Sequence, residues 1–191
     1  DHIGDSVLDL YTVGKLSGLT EVLFIERCIR LLKPGGRLGI VLPEGVLNNT
    51  NLQAVRELFE EMAKIILITS IPQDVFMASG ATVKPSLLFF KKFTTEERAQ
   101  FDAIKQAATE EVGSKYQSQL DKIDSFLAER GNSAEEKKAK RAERRALETK
   151  IAAEIWAIVK EKFDYTIPIA QVEKAGITTT GAECENQLID L

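Results

Sequence analysis

At 191 residues with 44% hydrophobic content, the chain can bury one sizeable core and a smaller satellite, which excludes two large domains. A formal net charge of −4 excludes a protein that grips nucleic acid through overall positive charge, so any such contact must be local. Two cysteines, Cys28 and Cys184, exclude a disulfide-stapled scaffold and fit free thiols in a reducing compartment.

No apolar run approaches bilayer length, and Asp1-His2-Ile3-Gly4-Asp5 has neither the basic start nor the apolar stretch of a signal peptide. A cytoplasmic location without membrane contact is expected. The start without Met is what an excised fragment would show. His2 is the single histidine and stands at the terminus, so no metal site and no histidine-based triad is expected.

Residues 1–19, with Gly4, Gly14 and Gly18, read as loop with one short turn. Thr20 is placed to cap a helix whose apolar residues, Leu23, Phe24, Ile25, Cys28, Ile29, Leu31 and Leu32, cover much of its circumference, as on a helix packed against a sheet. Pro34-Gly35-Gly36 stops it. Arg37–Pro43 is a short apolar run bounded by turn residues, the pattern of a strand buried on both faces of a parallel sheet. Leu52, Val55, Leu58, Phe59 and Met62 place a helix over 51–63, and Lys64–Ser70 is a β-branched strand. The loop Pro72–Lys84 leaves no room for a crossover helix, so Pro85–Lys92 should return antiparallel and end the sheet in a hairpin-like edge.

From Thr95 the composition turns to Glu, Lys, Gln and Ala. Phe101, Ile104, Ala108, Val112, Tyr116, Leu120, Ile123 and Leu127 recur every three or four residues, which predicts one long amphipathic helix. Gly131 ends it, and Ser133 with Glu136 forms a capping box for a second helix carrying Leu147, Ile151, Ile155 and Ile158. An antiparallel hairpin follows. Its stretch Glu135–Lys150 has almost no large apolar residue, which predicts a solvated tip. After Phe163, Ile167-Pro168-Ile169-Ala170 reads as a return strand or extended segment before a loose end.

Three strings carry a family resemblance: Leu32-Lys33-Pro34-Gly35-Gly36-Arg37-Leu38, Ile40-Val41-Leu42-Pro43-Glu44-Gly45-Val46-Leu47-Asn48-Asn49, and the run Ile71–Phe90. In this order and spacing, the stretch Leu23–Lys92 resembles the N6-adenine DNA methyltransferases of restriction-modification systems, in particular the modification subunit of type I systems. The tail Tyr165–Gly181 is similar to the segment that follows the catalytic domain there. The resemblance implies the C-terminal part of a Rossmann-like class I methyltransferase sheet, mixed, with an antiparallel last strand, followed by the helical hairpin. Residues 1–93 would then be the closing half of the α/β domain, 94–162 the hairpin arm and 163–191 an extended tail.

The resemblance also implies a donor-binding glycine turn and an Asn-Pro-Pro-Phe-type motif, neither of which occurs in this sequence. No catalytic and no cofactor-binding residue is therefore assigned. S-adenosylmethionine is expected as the cofactor of the full-length parent and not of this chain, which should be inactive alone. Leu47-Asn48-Asn49-Thr50-Asn51 reads as a loop and helix cap, and Gly14-Lys15-Leu16-Ser17-Gly18 as a connector.

In the resemblance, the loop Pro72–Lys84 lies beside an extruded target base, where an aromatic face commonly stacks. Phe76 is the matching stacking candidate, or else a plug in the core beneath. Lys84 is a phosphate or base-edge contact, or else a solvated cation. Pro85 stands where relatives often carry Thr. Glu44, Asp74 and Asp164 have no evident partner. Lys137, Lys138, Arg141, Arg144 and Arg145 concentrate positive charge: they form a solvated face, contact DNA, or dock a partner helix. Implied partners are DNA and the DNA-specificity and restriction subunits of the same system. A truncated sheet would also expose a strand edge for self-association. The alternative function is a non-catalytic module that binds DNA or a partner through the basic hairpin.

Overall fold

The computed structural model describes residues 4–129 and 131–190, so His2 lies outside the described residues. Internal contacts divide the chain into two units. One holds the residues through Thr95 together with those from Thr166 on, and the other is Glu96–Tyr165.

In the first unit the expected N-terminal loop contains a one-turn helix, α1 (Asp5–Leu8), and a 3₁₀ turn (Val13–Lys15). Helix α2 (Thr20–Leu31) begins one residue earlier than a Thr20 cap requires. The Leu19 carbonyl accepts from the amides of Val22 and Leu23, so Leu19 holds the cap position and its side chain cannot bond the helix end. Val22, Ile25 and Ile29, at helical spacing, are fully buried. Phe24 and Leu31 stay 59% and 70% exposed, so α2 packs by one stripe rather than by most of its circumference.

β1 (Arg37–Pro43) leads into the one-turn helix α3 (Gly45–Asn48), a 3₁₀ turn (Thr50–Leu52) and α4 (Gln53–Glu60). The helix expected over 51–63 is shorter because Ala63 already belongs to β2 (Ala63–Ser70). A one-turn helix, α5 (Asp74–Met77), then precedes β3 (Pro85–Lys92). The tail supplies β4 (Ile169–Gln171), β5 (Ala175–Ile177) and β6 (Glu183–Asn186).

The four-stranded sheet has the order β1-β3-β2-β4. β3 pairs antiparallel with both β1 and β2, while β2 and β4 are parallel. Two expectations are corrected here. β1 is an edge strand with an antiparallel neighbour rather than a strand inside a parallel sheet, and its burial alternates accordingly. β3 is interior and not a hairpin-like edge. The α4 crossover returns β2 in the direction of β1 but leaves a gap one strand wide, and β3, coming back without a crossover, fills it. Pairing on both sides goes with the burial of Pro85, Ser86, Leu88 and Phe90.

Beneath one face of the sheet, α2 and α4 bring Val22, Ile25, Ile29, Val55 and Phe59 against Leu42, Leu88 and Phe90 in a single cluster. Phe59 meets Phe90 edge-on, with ring centroids 6.4 Å apart. The return strand expected near 167–170 is β4, which extends the sheet, and the end beyond it is not loose: β5–β6 form an antiparallel pair with Gly176 (φ +86°) at a register irregularity within β5 and Gly181 (φ +85°) in the connecting turn, where a side chain would be strained.

In the second unit, α6 (Thr95–Ala128) and α7 (Ala134–Lys162) run antiparallel. Phe101 meets Trp156, Lys115 meets Glu154 and Asp124 meets Arg144, pairs that keep a near-constant sum of positions. The seam buries Phe101, Ala108, Val112, Tyr116, Ile123 and Val159. The expected capping box is present: the Ser133 hydroxyl accepts from the Glu136 amide while the Glu136 carboxylate accepts from the Ser133 amide. No residue from Ala134 to Lys150 is buried. Among the described residues no helix is long and apolar enough to cross a membrane.

Candidate nucleic-acid interface

β1 and β2 point the same way, and β4 runs parallel to β2, so their carboxyl ends share one edge of the sheet with the start of β3. In open α/β sheets ligands bind in crevices outside the carboxyl ends of the strands. The loop between β2 and β3 stands at this edge. Two prolines oppose each other there, Pro43 and Pro85. Neither has an N–H to donate, and one further bond beyond them, from the Glu44 amide to the Lys84 carbonyl, ends the β1–β3 pairing.

The loop is folded on itself. The Phe76 carbonyl accepts from the Ser79 and Ala81 amides at 3.1 and 3.0 Å and from the Ser79 hydroxyl at 2.9 Å. Gly80, at φ +86°, turns the chain, and the Gln73 side-chain amide donates to the Thr82 carbonyl. Phe76 is half-buried and Met77 is 40% exposed. Phe76 is therefore neither a fully buried plug nor a free ring.

Lys84 closes the loop. Its Nζ lies 3.2 Å from Glu44 Oε1, and its carbonyl accepts from the Glu44 amide at 3.0 Å. Glu44, read from sequence as lacking a partner, is thus matched with a lysine forty positions away, a separation at which no local pattern signals the contact. The pair is exposed at both ends (46% and 36%), so it is weak and Lys84 can exchange Glu44 for a phosphate at little cost. Behind the edge, Asn49 accepts from the Asn51 amide at 2.9 Å as the expected cap. Arg56 donates to the carbonyls of Val46 and Asn49 at 3.2 and 2.7 Å, fixing the turn after β1.

Neither the Gly35-Gly36 turn nor Gly14 is placed to cradle a donor such as S-adenosylmethionine. In the Gly35-Gly36 turn the Gly35 amide is directed at the carbonyls of Lys92 and Phe93 and the Gly36 amide at Lys33, so neither is left to hold a ligand. A Cβ on Gly14 would fall 2.0 Å from the Leu8 carbonyl oxygen, so this glycine serves close packing of two turns rather than ligand approach. Among the described residues no group of histidine, cysteine, aspartate or glutamate is arranged to hold a metal ion.

The basic cluster belongs to the second unit, and Phe76 and Lys84 belong to the first. The structure sorts its members. Arg144 lies 3.1 Å from Asp124 across the hairpin and 3.6 Å from Glu148. Lys140, in the same basic segment, pairs with Glu143 at 2.7 Å and sits over the Phe126 ring. Lys137, Lys138, Arg141 and Arg145 make no ion pair among the described residues.

A mixed α/β sheet with an antiparallel interior strand, helices on one face and a polar loop at its carboxyl edge defines the class as an α/β domain. The family model described as N-6 DNA Methylase matches residues 15–149, and the chain belongs to that family. No curated protein matches it.

Three solved structures are similar in part. A candidate class I S-adenosylmethionine-dependent methyltransferase from Listeria monocytogenes is 22% identical over 50% of this chain and 30% of its own, with a TM-score of 0.44. A component of a type I restriction-modification assembly is 30% identical over 48% of this chain and 19% of its own, with a TM-score of 0.42. A modification subunit of a candidate type I restriction enzyme from Vibrio vulnificus YJ016 is 25% identical over 48% and 20%, with a TM-score of 0.43. The chain thus spans less than a third of the length of each.

Proposed function

We propose that this chain is the closing portion of an adenine-N6 DNA methyltransferase subunit of a type I restriction-modification system. The complete protein transfers a methyl group from S-adenosylmethionine to adenine N6 and works with DNA-specificity and restriction subunits. The observation that carries this reading is the family match to N-6 DNA Methylase, which includes the whole loop at the carboxyl edge of the sheet. In that loop Phe76 supplies a half-exposed aromatic face for an extruded adenine, and Lys84, freed from Glu44, takes a phosphate or base edge. Because neither the donor glycine turn nor the Asn-Pro-Pro-Phe motif occurs in the sequence, the chain alone neither binds the donor nor methylates.

Calorimetric titration with S-adenosylmethionine tests the last statement: no heat of binding is expected, and stoichiometric binding would overturn it. For the loop, Phe76→Ala in the complete modification enzyme should lower kcat/KM about 10- to 100-fold, the worth of one base–aromatic stack. Phe76→Trp should restore most of it. An unchanged kcat/KM in Phe76→Ala would remove the stacking role.

A further inference from the structure

We propose that Lys137, Lys138, Arg141 and Arg145 form a stripe on α7 that holds the sugar–phosphate backbone of duplex DNA without reading its bases. At about 100° per residue these four side chains fall within an arc of about 100° on one side of the helix. Lys137, Arg141 and Arg145 follow one another every fourth residue, about 6 Å of rise each, so the stripe is a straight row about 12 Å long on a rigid support. Lys138 lies beside it.

Contacts within the hairpin separate this row from the neighbouring cations. Arg144 is held by Asp124 and Glu148, and Lys140 by Glu143 and the Phe126 ring, so both are committed to the helix pair. The row itself has no intrachain ion pair among the described residues, and Lys138, Arg141 and Arg145 are exposed. Of the acids near its ends, Glu136 accepts from the Ser133 amide at 2.8 Å and Glu148 faces Arg144 at 3.6 Å. On a chain of net charge −4, a row of cations left without partners is a local feature and not part of a general basic surface.

The kind of polyanion follows from what the face lacks. Between Ala134 and Ala152 the same arc carries Ala134, Glu148 and Ala152 and no large apolar side chain, and its apolar residues Ile155, Trp156 and Val159 come only in the turns beyond the row. A partner helix or protein surface binds through buried aromatic or aliphatic anchors, and the row has none. Phosphate contact needs only cations and gains its free energy from counterion release. The choice of duplex DNA among phosphate polymers rests on the function proposed above. The stripe itself does not.

The test is fluorescence anisotropy of the full chain with a labelled 30-base-pair duplex over a salt series. Four phosphate contacts predict a log–log slope of about −3.6 and a loss of about 10²-fold in affinity between about 50 and 200 mM salt. The variant Lys137→Gln/Lys138→Gln/Arg141→Gln/Arg145→Gln should flatten the slope to near zero. Lys140→Gln/Arg144→Gln should leave it nearly unchanged, and far-ultraviolet circular dichroism shows whether each variant keeps its helices. Equal slopes for the wild type and the folded fourfold variant, or no duplex binding at low salt, would overturn the stripe. Binding of polyglutamate in preference to duplex would overturn the assignment to nucleic acid. The donor titration and the Phe76 variants read the proposed function independently of the stripe, so either can fail while the other stands.

Discussion

Glu26 shows how one side chain organises its surroundings. It sits fully buried in the middle of α2, with its carboxylate accepting from the Thr12 and Val13 amides at 2.9 and 2.8 Å and facing Arg30 one turn on. Arg30 also donates to the Thr12 hydroxyl at 2.8 Å, so two α2 residues fasten the 3₁₀ turn that precedes the helix. Glu26→Ala would strand two amides and remove the partner of Arg30. At about 1–3 kcal/mol for each unsatisfied buried group, a loss of about 3 kcal/mol in urea unfolding is expected. Glu26→Gln, which keeps one acceptor, should cost less than half of that. A loss under about 0.5 kcal/mol for the alanine variant would show that the turn is held by other contacts. Nothing in the sequence singles out Glu26, because an acid inside an apolar helix looks the same whether it meets water or a distant backbone amide. Phe76 and Lys84 could be named from the sequence because a family pattern marks their loop, whereas the bond from Lys84 to Glu44 depends on which strands become neighbours.

Among the elements, the helical hairpin is tied together by charge as well as by its apolar seam. Ser133 holds the Glu136 carboxyl below the usual glutamate range. Lys115, followed by Tyr116, does the same for Glu154, and Arg98 lowers Asp102. Each folded-state value lies below the unfolded one, so on acidification the unfolded chain takes up protons first. The stability these groups contribute is fully present above the ordinary carboxylate range and is lost as pH falls through that range and below it. All three carboxylates are largely solvated, so each effect is small and salt-sensitive. Trp156, the only tryptophan, stands in α7 and reports the hairpin by fluorescence. Its thermal midpoint should be flat at neutral pH and decline in acid, and Glu136→Gln/Glu154→Gln should begin lower and decline less. An acid profile identical to wild type would remove these two groups from the account. The capping box was legible in the sequence because a capping box is local: Ser133 and Glu136 are three residues apart whatever the fold.

The whole molecule presents a sheet with an open side. No strand pairs with the outer edge of β1 among the described residues, Val41 on that strand is 49% exposed, and Arg37 stands at its start as the strand's single charge. Unpaired amides and carbonyls on an apolar strand invite another strand, so concentration-dependent self-association in sedimentation is expected, with Val41→Lys suppressing it. A monomer at high concentration with exchange-protected β1 amides would count against this. The sequence by itself determined the elements and their kinds. Apolar runs bounded by glycine and proline gave three strands nearly to the residue, helical periodicity gave α2, α4 and the hairpin, and the three family strings gave the class of sheet. All of these are recorded in residues close together along the chain. Only the tertiary structure decided that β3 lies between β1 and β2, that the tail adds β4 and a further pair of strands, and that Glu26 and Lys84 have the partners they do. These choices depend on which surfaces meet across tens of residues, and a buried strand reads the same from sequence whichever neighbours it pairs with.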